Sequence, residues 1–128
     1  CVLRYKRHYF TAAGLNSNEV AAEFLEHANS EQEHADMLAQ RIVQLGGDPD
    51  LDPANLATRS VTDYDSVAGL REMITEDLVA ERVVISTYTE IIRWLGEADP
   101  TTRRIFESLL ADEEEHADDL QSLLERVS

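Results

Sequence analysis

Apolar side chains return at alternating steps of three and four residues along most of this chain, and near the middle of three such seams the apolar residue is replaced by glutamate. That spacing is the face of a helix turned toward a core. One seam runs Phe24, Ala28, Glu31, Ala35, Leu38, Ile42, Leu45. A second runs Ile74, Leu78, Glu81, Ile85, Tyr88, Ile92, Leu95, and a third runs Phe106, Leu109 or Leu110, Glu113, Ala117, Leu120, Leu124, Val127. A buried carboxylate is costly unless it is paired, protonated or bound to a cation. Three in one small core need a common explanation.

The breakers divide the periodic stretches. The first helical segment runs from Cys1 to Ala13, and a second is expected after Asn16, which with Glu19 forms a cap and its third-position acid. Gly46-Gly47 ends it. From Asp48 to about Asp65 there are two prolines, several Asp and Asn, and no periodicity, which reads as a long connection. A third helix is expected from about Ser66 to Leu95, stopping at Gly96, and Asp99-Pro100 opens a fourth that continues to Val127. Connections that are short, long and short give an all-α four-helix bundle with one crossover running its full length. The geometry allows it, because about 18 extended residues reach roughly 60 Å and a helix of about 28 residues is roughly 42 Å long. Residues 1–128 make one domain at this length.

Two of the three seam glutamates carry a histidine three residues later, in Glu31-Gln32-Glu33-His34 and Glu113-Glu114-Glu115-His116. Residues three apart share a helix face, so each pair can aim a carboxylate oxygen and an imidazole nitrogen at one point. With Glu81, five ligands converge from three helices. Di-iron carboxylate bundles use one Glu from each of two helices and a Glu-x-x-His from each of the other two. Here the first helix has no acidic residue. Its seam, followed back from Tyr9, Tyr5 and Val2, places the next inward position two or three residues before Cys1. The fourth carboxylate is expected there, which makes the visible first helix a truncated one.

These residues resemble the bacterioferritins and the wider ferritin-like di-iron family. The likeness is carried by Glu31-Gln32-Glu33-His34-Ala35-Asp36 with Leu45-Gly46-Gly47-Asp48-Pro49, by Asp77-Leu78-Val79-Ala80-Glu81, and by Asp112-Glu113-Glu114-Glu115-His116-Ala117-Asp118. The resemblance implies a ferritin-like bundle in which Glu31 and Glu113 bridge two metals, His34 and His116 bind one each, and Glu81 is a terminal carboxylate. Tyr5 would match the tyrosine beside such centres, an electron donor during oxidation; on its own spacing it is a packing residue. Bacterioferritins bind haem through a methionine that follows the second-helix ligand. Gln32 stands there in this chain, so haem at that site is not expected.

The expected activity is that of a ferroxidase oxidising Fe(II) to Fe(III) at a di-iron centre, with O₂ or H₂O₂ as oxidant, for iron storage or detoxification. Carboxylate with imidazole suits iron, and manganese or zinc less selectively. A homo-oligomer, a dimer or a larger shell, is expected. A second reading is a non-catalytic helical-bundle interaction protein with a degenerate metal site. A third is a DNA-protecting mini-ferritin, for which Arg4, Lys6, Arg7 and His8 form a small basic cluster. His8 alone reads as a surface or subunit-contact residue, His27 as a hydrogen-bonded structural one, and Asp112, Glu33, Glu114 and Glu115 as a solvated face or supports to the ligands.

Charge and cysteine content narrow the partners. Against 26 acidic residues stand 11 basic ones, a net charge of −15 with neutral histidines. Such a balance repels nucleic acid and anionic lipid and attracts cations. No apolar run is long enough for a membrane span, so the chain is expected to be soluble. A single Cys excludes an internal disulfide framework and fits a reducing, cytoplasmic location.

Overall fold

The computed structural model describes residues 1–14, 17–64 and 66–127. They form five helices: α1 (Val2–Thr11), α2 (Ser17–Gln44), α3 (Pro53–Arg59), α4 (Leu70–Leu95) and α5 (Pro100–Arg126). No strand occurs among the described residues. Four of the helices, α1, α2, α4 and α5, make the bundle. The connection between α2 and α4 carries the short α3, a turn of helix not expected from the sequence. Its cause is local: Asp52 accepts a hydrogen bond from Ala54 N, and Pro53 sits at the first helical position. None of its residues is buried, so it has no apolar face that periodicity could have revealed.

The helix ends follow their stop and start residues. Gly46, at φ 87°, ends α2 with its N–H bonded to Val43 O, and Gly47 N–H bonds to Ile42 O. That pair of bonds satisfies the last carbonyls in the left-handed manner glycine permits. Asp99 caps α5 by accepting from Thr102 N, with Pro100 at the first position. The Asn16 cap falls outside the described residues. The third long helix begins at Leu70, not at about Ser66.

The relative directions of the helices follow from contacts near their ends. Arg41, near the end of α2, reaches Asp99 and Thr102 at the start of α5. Arg71, near the start of α4, donates to Leu124 O and Val127 O at the end of α5. Thus α5 runs antiparallel to both α2 and α4. The crossover is held against α1, where Arg4 bonds Thr62 Oγ1 and Asp63 O and Arg7 bonds Val67 O. Arg4 is buried, and it also pairs with Glu76. The apparent basic cluster is therefore no free patch, since two of its arginines hold backbone and its histidine is internal.

Tyr5, Val20, Phe24, Ala28, Met73, Ile74, Leu78, Leu120 and Leu123 form the apolar core. They come from the first halves of α1, α2 and α4 and the last turns of α5, so this core fills one end of the bundle. Each large side chain such as Phe24 contributes about 1.5–3 kcal/mol on burial. The second half of α2 departs from its seam. Ala35, Ile42 and Leu45 are exposed. No described helix is long and apolar enough to cross a membrane.

Candidate metal centre

Where the apolar core ends, three helices turn carboxylates inward. Glu31 comes from α2, Glu81 from α4, and Glu113 with His116 from one face of α5. Glu81 and Glu113 are 0% exposed, Glu31 8% and His116 7%. One donor atom of each lies within 4.8 Å of the donor atoms of the other three. The i, i+3 spacing places Glu113 and His116 on adjacent turns, as their motif requires.

The geometry inside the cluster is unsatisfied. His116 Nδ1 stands 3.3 Å from Glu31 Oε1, 3.5 Å from Glu81 Oε1 and 3.3 Å from Glu113 Oε2. It aligns a hydrogen bond with none of them, and Glu31 Oε1, Glu81 Oε2 and Glu113 Oε2 are likewise buried without a partner. Buried polar atoms are nearly always paired. Each of the four residues thus keeps one buried donor atom without a protein partner, a donor set that fits a cation.

His34 sits beside this group and is not one of its four mutually close donors. Its Nδ1 is 2.9 Å from Glu113 Oε1 and 3.7 Å from Glu31 Oε2, and its Nε2 is 2.9 Å from Asp112 Oδ2. Its ring stacks on that of His116 at 6.0 Å between centroids. All five expected ligands therefore meet at mid-bundle. Asp112, half exposed, bonds the far nitrogen of His34.

The close packing of acids and imidazoles shifts their proton affinities. Burial opposes a charged His34, but hydrogen bonds to Glu113, Glu31 and Asp112 outweigh it and raise its pKa to about 10. Burial likewise opposes a charged His116, and its carboxylate neighbours, Glu113 first, raise it to about 12. Burial pushes Glu81 up to about 8 despite His116, with Glu113 adding to the rise. For Glu113 burial acts upward too, but His116 and His34 hold it far below the usual carboxylate range.

Tyr5 is 1% exposed and donates its hydroxyl to Glu81 Oε1 at 2.6 Å. It packs in the core and touches the centre at once. Burial, followed by the charge of Glu81, raises its own pKa well above the phenol range. His8, expected at the surface, is 0% exposed. It binds Asp77 Oδ2 through Nδ1 at 2.8 Å, and its Nε2 is 3.3 Å from Glu76. Its position three after Tyr5 puts it on the same inward face of α1. Asp77, four before Glu81 on α4, was an additional legible sign of a polar stripe leading to the centre.

Comparisons with known proteins place the chain among relatives of like architecture. A family model described as a ferritin-like domain matches residues 2–128. A bacterioferritin of Rhodobacter capsulatus is 30% identical over 125 residues, covering 94% of this chain and 71% of the relative. One of Mycobacterium avium is 31% identical over 122 residues, covering 91% and 72%. Among solved structures, the dodecameric thioferritin of Bacteroides fragilis, a bacterioferritin-related protein, superposes with a TM-score of 0.92 at 33% identity, covering 98% of this chain and 76% of that one. The Dps of Thermosynechococcus elongatus shares the fold, with a TM-score of 0.91 at 23% identity and coverage of 96% and 80%.

Proposed function

Because the chain belongs to the ferritin-like family, we propose that its buried glutamate–histidine cluster takes Fe(II) as substrate and acts as a ferroxidase. The reading rests on the four orphaned donor atoms of Glu31, Glu81, Glu113 and His116. Carboxylate oxygen with imidazole nitrogen is a donor set for divalent first-row cations. Two Fe(II) would each give up one electron. The electron pair reduces O₂ with two protons to H₂O₂, or H₂O₂ with two protons to two waters, for iron storage or detoxification.

In this scheme Glu31 and Glu113, from α2 and α5, would be shared by the two ions, His116 and His34 would each hold one, and Glu81 would complete the set. Proximity is supplied by the bundle, which holds the ligands on three packed helices. Tyr5, whose hydroxyl donates to Glu81 Oε1, would orient that carboxylate. Three carboxylates would leave two divalent ions with one excess positive charge. Manganese or zinc would fit the same donors without the redox step. Homo-oligomerisation is proposed by likeness to the dodecameric Bacteroides fragilis protein.

Anaerobic Fe(II) titration, followed by O₂ or H₂O₂ while ferric absorbance is recorded, tests the proposal. Two irons per chain should bind and oxidise rapidly. Glu81→Ala should slow that oxidation at least tenfold while helical content is kept. Normal rates in this variant would overturn the assignment. A second reading, a non-catalytic bundle with one adventitious Zn²⁺, has in its favour that Glu31, Glu81, Glu113 and His116 converge as a single set of four donors. A stoichiometry of one ion per chain and no oxygen uptake would select it.

A further inference from the structure

A second group of donors lies between α2 and α5, one layer outward from the centre. Glu23 and His27 stand one turn apart on α2, and Asp119 faces them from α5. One donor atom of each lies within 4.8 Å of the other two. His27 Nε2 is 3.3 Å from Glu23 Oε2 and 3.4 Å from Asp119 Oδ2. The two carboxylates are partly open to solvent, with side chains 30% and 41% exposed, whereas His27 is 1% exposed. The group is thus a shallow cup with an imidazole at its floor and acids at its rim.

The ring of His27 is only partly served: Nε2 has a long hydrogen bond to Asp119 Oδ2. On Nδ1 the proton has no acceptor, because that atom is buried and unpartnered. On Nε2 it is divided between two oxygens, both farther than the ~2.7–2.9 Å of a charge-assisted bond, and Nδ1 remains an orphan. The ring of His27 stacks on that of His116 at 4.2 Å between centroids. Glu23 Oε2 is itself buried without an aligned hydrogen bond. His27 Nε2 thus faces both acids and holds only a long hydrogen bond, to Asp119 Oδ2 at 3.4 Å, while Nδ1 has no partner.

We propose that Glu23, His27 and Asp119 form a separate binding site for a single divalent transition-metal cation. The imidazole selects a borderline cation such as Co²⁺ or Zn²⁺ over Mg²⁺ and Ca²⁺, which prefer oxygen alone. Three protein donors leave positions for water, which the open rim admits. The site shares no ligand with the Glu31, Glu81, Glu113 and His116 cluster, so it does not depend on the function proposed for that cluster.

The test uses the full chain and Co²⁺. Equilibrium dialysis of the wild type, of Glu23→Gln with Asp119→Asn, and of Glu81→Ala gives the ions bound per chain. Anomalous scattering at the cobalt edge locates them. The expected results are one ion fewer in the double variant, retention of that ion in Glu81→Ala, and an anomalous peak between Glu23, His27 and Asp119 that tenfold excess Mg²⁺ does not displace. Equal stoichiometry in wild type and double variant, or no peak at the cup, would overturn the site. If the double variant fails to fold by circular dichroism, the wild-type anomalous map alone decides. Should the main cluster bind nothing, the outer peak would still appear, which separates the two proposals.

Discussion

Loading the main cluster with metal should expel protons in a number that the structure sets. At pH 7 Glu81, with a pKa of about 8, His34, at about 10, and His116, at about 12, all hold a proton in the metal-free protein. Metal ligands must be a bare carboxylate and neutral imidazoles. Filling the cluster therefore releases about three protons per chain at neutral pH. The sign follows directly: protons compete with the cation, so apparent affinity rises with pH. By linkage, its logarithm should climb by about three per pH unit below the pKa of Glu81, about two between that and the pKa of His34, and about one beyond. Zinc is a suitable probe because it adds no redox step. Titrating Zn²⁺ into weakly buffered protein with a pH indicator, or calorimetry in two buffers of different ionisation enthalpy, counts the protons. Glu81→Ala should release about two. A wild-type count below about one would refute the picture of a metal-free cluster neutralised by its own protons.

Tyr5→Phe removes the hydroxyl that donates to Glu81 Oε1 and should lower metal-free stability by about 1–2 kcal/mol, with metal stoichiometry unchanged; urea denaturation and dialysis check both. His8→Ala leaves Asp77 buried and unpaired, at a cost of about 3–5 kcal/mol. Burial, opposed by His8, already raises Asp77 to about 6 from an unfolded value near 3.8. The folded state thus binds the extra proton, and its contribution to stability falls as pH rises through that window. Removing His8 takes away the opposing effect, so the deficit relative to wild type should be larger at pH 7.5 than at pH 4.5 in urea melts, and an equal deficit at both would contradict it. Phe24→Ala empties the centre of the core and should cost about 3–5 kcal/mol, visible as a lower melting temperature with the helical spectrum retained.

Periodicity, with the breaker and cap residues, determined the four bundle helices, the order of their connections and the three mid-seam carboxylates, because a 3.6-residue repeat records which face is hidden without needing to know what hides it. The two Glu-x-x-His pairs were legible for the same reason, since both members of each lie on one strip of one helix. Other features were decided only in three dimensions. His8 and Asp77 are far apart in sequence, and neither shows the need for a partner until α1 meets α4. Asp112 looks like surface until His34 turns its outer nitrogen to it. The cup of Glu23, His27 and Asp119 arises from the antiparallel register of α2 and α5, which no single-helix pattern contains. Conversely, Ile42 and Leu45 carry the spacing of a buried seam and lie exposed. A hydrophobic pattern states which face a helix offers, and only the position of its neighbours decides whether that face is covered.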